Sequence, residues 1–151
     1  MDTFEQLGAV FSGALTEVIL TSTGVSLSVL SQENDYCFEQ MLGVMSLNGK
    51  KSGMLFITAA ESDIRALCSK MIGVTPAEVT NGDIEDTLAE FVNMTAGSAK
   101  LRLSDTDFAF MLSPPFVIKG ENISIAVKRR TRVISAVLGD GSISVKLKVL
   151  Y

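Results

Sequence analysis

The chain has 151 residues, 47% of them hydrophobic and 20% charged, with two cysteines and neither tryptophan nor histidine. Histidine is the usual general acid or base near neutrality and the commonest metal ligand, so its absence excludes Ser-His-Asp triads, Cys-His nucleophile pairs, histidine-bound zinc and phosphohistidine relay. Chemistry is left to carboxylates, amides, hydroxyls, two thiols and the basic side chains.

The net charge of -4 is unevenly spread: residues 1–90 hold 13 acids and 4 bases, residues 91–151 hold 4 acids and 9 bases. The densest basic cluster is Lys128, Arg129, Arg130 and Arg132. It contains no aromatic side chain and belongs to an acidic domain, so it reads as solvated strand residues and not as a nucleic-acid surface. Cys37 and Cys68 lack C-x-x-C spacing and are expected as buried free thiols in a reducing compartment. The start of the chain lacks the positive region of a secretory signal, and no apolar run reaches the roughly 20 residues that span a bilayer. A cytoplasmic protein without membrane insertion is expected.

Residues 3–23 place Phe4, Leu7, Phe11, Leu15, Val18 and Ile19 at helical spacing, with Thr3 and Gln6 as a capping box and Gly24 as a stop. Residues 25–30 alternate apolar residues with serine and read as a strand. Two further strands, 36–47 and 50–58, are expected to meet at Asn48-Gly49, a strong hairpin signal. A helix from Ser62 carries Ile64, Leu67, Cys68, Met71 and Ile72 on one face and ends at Gly73. Thr75-Pro76-Ala77-Glu78 is a second capping signature. A long helix occupies about 82–103. Strands are expected at 107–118, 122–127, 132–138 and 142–151, the last with Lys146 and Lys148 on a face open to water. Two halves of similar plan suggest a pseudo-duplicated α+β sandwich in one domain, 1–151.

The helix at 82–103 carries the functional information. At about 100° per residue, Ile84, Leu88, Phe91, Val92, Thr95 and Ala99 share one side, and Asp86, Glu90, Asn93 and Gly97 fall within about 60° of one another on the opposite side. Any amphipathic helix has a polar face, and solvation alone accounts for one. Asn93 and Gly97 nevertheless are poor helix formers in an exposed stripe, glycine by about 1 kcal/mol; a glycine there suits close approach by another molecule. Met94 flanks the stripe, either as a soft apolar contact or as the rim of the core.

At these residues the sequence resembles a known family. Asp86-x-x-x-Glu90-x-x-Asn93, continuing Met94-Thr95-Ala96-Gly97-Ser98-Ala99-Lys100 and followed by Pro114-Pro115, is similar to the signature of the CheC/CheX/FliY chemotaxis phosphatases. The order of elements and the ending in Gly139-Asp140-Gly141 and an alternating strand agree with it. The first helix has no Glu-x-x-Asn, which resembles CheX more than CheC. The resemblance implies a CheC-like sandwich, with a mainly antiparallel sheet of about six strands and long helices packed on one face. It implies dephosphorylation of the phosphoaspartate of the response regulator CheY, with Mg2+ held by CheY and no metal on this chain. Asn93 would orient the attacking water and Glu90 would pair with the regulator's lysine. Asp86, Met94 and Gly97 would belong to the docking surface, Asp86 with the further options of helix-dipole stabilisation and plain solvation. A homodimer joined through strands is implied as well. The rival readings are a non-catalytic module that binds a response regulator or flagellar switch through the same helix, and a structural domain whose stripe is only solvated.

Overall fold

The computed structural model describes residues 3–31, 37–128 and 130–151. Helix α1 (Thr3–Thr23) is as long as its periodicity predicts and stops at Gly24, whose φ of 78° lies in the left-handed region that glycine enters without penalty. The Thr3 side chain of the expected capping box lies outside the described residues, as do Tyr36 and Arg129. Helix α2 (Glu61–Ile72) ends likewise at Gly73. A short 3-10 turn (Pro76–Glu78) is closed by Glu78, whose Oε1 accepts from the Thr75 N–H and hydroxyl at 3.2 and 2.8 Å. Helix α3 (Asn81–Leu103) is held by Thr80: its hydroxyl accepts from the Asp83 N–H and its own N–H donates to the Asp83 carboxylate. This reciprocal cap sets the start of α3 one residue before the expected Gly82.

Among the described residues seven strands form one antiparallel sheet: β1 (Ser28–Ser31), β2 (Met41–Gly49), β3 (Gly53–Ala59), β4 (Phe110–Met111), β5 (Phe116–Lys119), β6 (Val133–Gly139) and β7 (Ser144–Leu150). The order is β1-β6-β7-β3-β2, with β4 and β5 following one another along the outer edge of β2. Read from the β5 edge, the order β5-β2-β3-β7-β6-β1 repeats the order read from β1 once β1, β2 and β3 are exchanged for β5, β6 and β7. Helix α1 precedes the first set and α3 the second. The expected duplication is therefore a pseudo-two-fold axis between β3 and β7.

Both long helices pack on one face of the sheet and against each other. Leu7, Phe11 and Leu15 of α1 and Leu88 and Phe91 of α3 join Met45, Leu47, Leu55 and Ile57 of the sheet in the main core. Each such fully buried side chain contributes about 1.5–3 kcal/mol relative to an exposed one, which is why the apolar stripes, and not helix propensity, hold these helices in place.

Three expectations are corrected. Asn48-Gly49 is not the hairpin turn: β2 runs through both, Gly49 has no positive φ, and the chain reverses over residues 50–52. Gly49 is required because β4 passes beside it, and a β-carbon there would lie 2.1 Å from the Ala109 carbonyl oxygen. The strand expected over 107–118 is two short ones, interrupted at Pro114-Pro115, which cannot donate to the ladder. The alternating segment 122–127 makes only an isolated bridge, between Cys37 and Ser124, and crosses the second face of the sheet instead of joining it. Ile123, Ile125 and Val127 pack there on Phe38, Leu42, Val44, Phe56 and Leu150.

That covering layer also overturns the expected open face. Lys148 is buried, with its ammonium 6.0 Å from the Phe38 ring centre, and Lys146 is half-buried in an ion pair with Glu39 at 3.2 Å. Cys68 is the expected buried thiol, whereas Cys37, also free, is exposed at the rim of the layer. No described helix is long and apolar enough to cross a membrane.

Candidate functional site

The seat of α3 is set by Gly43 of β2. A β-carbon at that position would lie 2.6 Å from Val92 Cγ2 and 3.1 Å from Leu88 Cγ. The bare backbone lets the buried stripe of α3 rest directly on the strand, and the opposite stripe is thereby turned to solvent.

Asp86, Glu90 and Asn93 are all exposed, and Gly97 is half-buried on the same line. None of the three polar side chains makes a hydrogen bond or ion pair with a described residue. Three of the other charged side chains of the helix, in contrast, are engaged within the chain. Asp83 caps the helix, Glu85 pairs with Lys119 of β5, and Arg102 donates to Glu17 of α1 at 3.0 Å. The acids of α3 thus divide into those that hold the fold, Asp83 and Glu85, and those that do not, Asp86 and Glu90. Asp86 lies beyond the first turn, where Asp83 is the acid beside the helix N-terminus.

Gly97 has nothing within 4 Å of the position a β-carbon would take. No intramolecular contact explains a residue that costs a helix interior about 1 kcal/mol. Met94 is half-buried and packs against the main core, so the structure assigns it to the rim and leaves only part of it to the surface. Pro114 is exposed and Pro115 half-buried between β4 and β5. Sequence reasoning passed over Glu85 and Lys119, which tie β5 to the start of the helix; their separation along the chain gave no signal of the pairing.

The pseudo-two-fold supplies a comparison inside the molecule. The buried residues Phe4, Leu7, Phe11, Leu15 and Ile19 of α1 run in register with Leu88, Phe91, Thr95, Ala99 and Leu103 of α3. In that register Glu90, Asn93 and Gly97 correspond to Gln6, Ala9 and Gly13. The carboxylate and the amide are missing from α1, and Gly13 has a neighbour within the chain: its β-carbon position is 3.6 Å from a guanidinium nitrogen of Arg102. The two outward stripes are equivalent in the fold and different in chemistry.

Among the described residues no three Cys, Asp or Glu side chains converge as metal ligands. The α3 stripe presents instead an acceptor, a neutral amide with both donor and acceptor, and a gap for close approach.

Residues 41–138 match the family described as chemotaxis phosphatase CheX. No curated protein matches the chain. The chain is similar in structure to the chemotaxis protein CheX of Vibrio vulnificus, at 20% identity, with TM-score 0.83 and 95% of this chain and 97% of that one covered. It is similar to a CheC-like superfamily protein of Shewanella sp. PV-4 at 24% identity, TM-score 0.83, with 99% and 98% covered. A third similar structure is a chain of the CheX-CheY-BeF3-Mg2+ complex from Borrelia burgdorferi, at 17% identity and TM-score 0.75, with 94% of each chain covered.

Proposed function

The chain belongs to the CheX family of chemotaxis phosphatases, and from that premise we propose that it hydrolyses the phosphoaspartate of a CheY-type response regulator through the outward stripe of α3. The observation that carries the reading is that Glu90 and Asn93 stand exposed one helical turn apart with no partner among the described residues, beside a glycine with no intramolecular cause.

Phosphoryl transfer passes through a loose transition state, so the gain comes from placing the attacking water and from electrostatics. The Asn93 carbonyl accepts from the water and its amide donates to a phosphoryl oxygen, without bringing a second negative charge to an anionic centre. Glu90 pairs with the regulator's lysine and fixes the register of docking. Gly97 lets the partner backbone approach, Met94 adds apolar contact at the rim, and Asp86 extends the acidic docking line. The magnesium is the regulator's, beside its phosphoaspartate, and the absence of histidine is no handicap because this chain is asked for no proton transfer of its own. The setting is the cytoplasm, as one domain over residues 1–151.

A homodimer joined through strands is part of the proposal. Its support is that both edges of the sheet carry exposed apolar residues, Val29 and Leu30 on β1 and Phe116 and Ile118 on β5, and an unpaired edge is either defended or used. Sedimentation at micromolar concentration is expected to give twice the monomer mass.

The test of the activity is the decay of the phosphorylated regulator with the native chain and with Asn93→Ala. The native chain is expected to accelerate decay well above the regulator's own rate, and the variant to lose most of that acceleration while still binding. Binding without acceleration by the native chain would instead establish the non-catalytic docking module.

A further inference from the structure

Leu101 of α3 is the most exposed large hydrophobic side chain among the described residues, at 79%. At about 100° per residue it falls within about 20° of the direction of Glu90, and it stands one turn beyond Gly97 on the same outward line. A lone surface leucine needs no explanation. This one neighbours, at i and i+4, the glycine whose β-carbon position has nothing within 4 Å, so an open gap and a bare apolar side chain share one face.

The pseudo-two-fold shows what such a gap takes. In the register of the two long helices, Gly97 and Leu101 correspond to Gly13 and Glu17 of α1. There the pair is filled from within the chain: a guanidinium nitrogen of Arg102 lies 3.6 Å from the β-carbon position of Gly13, and Arg102 donates to Glu17 at 3.0 Å. The α1 equivalent of Arg102 is Val18, which is buried in the main core and leaves Gly97 uncovered. Two exchanges therefore set the α3 copy apart. The filling side chain is absent, and the carboxylate that would hold a cation is replaced by an aliphatic group. A guest at Gly13 meets an anion; a guest at Gly97 meets carbon, which disfavours a charge and favours an apolar side chain.

We infer that Gly97 and Leu101 form a seat for an apolar side chain of the response regulator, an inference that rests on the reading of α3 as the docking helix. Eight residues separate Leu101 from Asn93, about 12 Å along the axis. That is too far to act on the attacking water, and an interface of ordinary size, about 800 Å2 on each partner, spans it. Burial of Leu101 adds affinity in proportion to the apolar area covered, whereas Glu90 sets the register of docking.

The experiment is steady-state hydrolysis of a phosphorylated CheY-type regulator by the native full chain, Leu101→Gln and Leu101→Met, with a binding titration that reads the same ratios as Kd. Glutamine keeps the length and helix preference of leucine and removes its apolarity, while methionine keeps all three. Leu101→Gln is expected to raise KM and Kd about tenfold, in keeping with the lost burial of one aliphatic side chain, with kcat within about twofold of native. Leu101→Met is expected to stay close to native. The ratio is expected to be the same at low and high salt, because an apolar contact is not screened. Native KM and Kd in Leu101→Gln, a loss confined to kcat, or a ratio that collapses at high salt would overturn the inference and leave the activity of α3 standing. Halving of the sedimenting mass in Leu101→Gln would overturn it by assigning the leucine to a contact between copies. A native chain that neither binds the regulator nor accelerates its decay would remove the reading of α3 and this inference with it.

Discussion

Val92 of α3 and Gly43 of β2 are fitted so closely that a β-carbon on the glycine would come within 2.6 Å of the valine's Cγ2. Val92 immediately precedes Asn93, so the contact that seats the helix also sets the height of the side chain proposed to place the water. Gly43→Ala is expected to cost about 1–3 kcal/mol through overpacking. Urea unfolding reads the loss directly; an unchanged midpoint would mean that Val92 and Leu88 yield without cost.

Gly97→Ala separates folding from docking. The added methyl meets open space inside a helix, so the variant is expected to be more stable by about 0.5–1 kcal/mol. In the proposed docking the same methyl would intrude on the approaching partner, and it is expected to weaken association with the phosphorylated regulator. Thermal unfolding and a binding titration on one preparation give both readings, and a variant equally tight in binding would remove Gly97 from the docking surface.

In the proposed docking, Glu90→Lys would replace an acceptor by a like charge opposite the regulator's lysine. Association is expected to fall at least tenfold, most at low salt where such contacts are least screened. The fold should be indifferent, because Glu90 is exposed and makes no ion pair with a described residue. A circular dichroism melt superimposable on that of the native chain, with binding lost, is the expected pair of results.

Asp140 supplies a pH test of the β6–β7 turn. Its Oδ1 accepts from the Ile143 N–H at 2.7 Å and the Ser142 N–H at 2.8 Å, and these bonds, Ile143 first, hold its carboxyl below the usual range. A carboxyl lowered in the folded chain contributes stability above its unfolded value and loses it as pH falls through the folded one. Asp140→Ala is therefore expected to melt below the native chain at neutral pH, with the gap closing as pH is lowered past the carboxylate range. A gap constant with pH would show that the charge on Asp140 is immaterial to the turn.

Periodicity carries the helices of this protein well and its strands less so. A stripe repeating at 3.6 residues names both the buried side of α3 and the outward line of Asp86, Glu90, Asn93 and Gly97, because a helix settles its own pairing locally. Alternation at period two marks which residues of 122–127 seek apolar surroundings and leaves open whether a strand or a crossing segment provides them. Lys148 looks solvated for the same reason: nothing near it in the chain announces that Phe38 lies over its ammonium. Asn48-Gly49 misleads because a glycine demanded by a neighbouring strand is indistinguishable, in one dimension, from a glycine demanded by a turn.

The pseudo-two-fold builds the same scaffold twice and places the proposed chemistry on one copy alone. If the proposal holds, tolerance to substitution should be lopsided in a molecule whose architecture is balanced: Ala9 on α1 should vary freely where Asn93 on α3 should not. What α1 retains is mechanical, with Glu17 gripping Arg102 and Gly13 leaving that arginine room to lie. One half of the duplicate has become the brace against which the other half works.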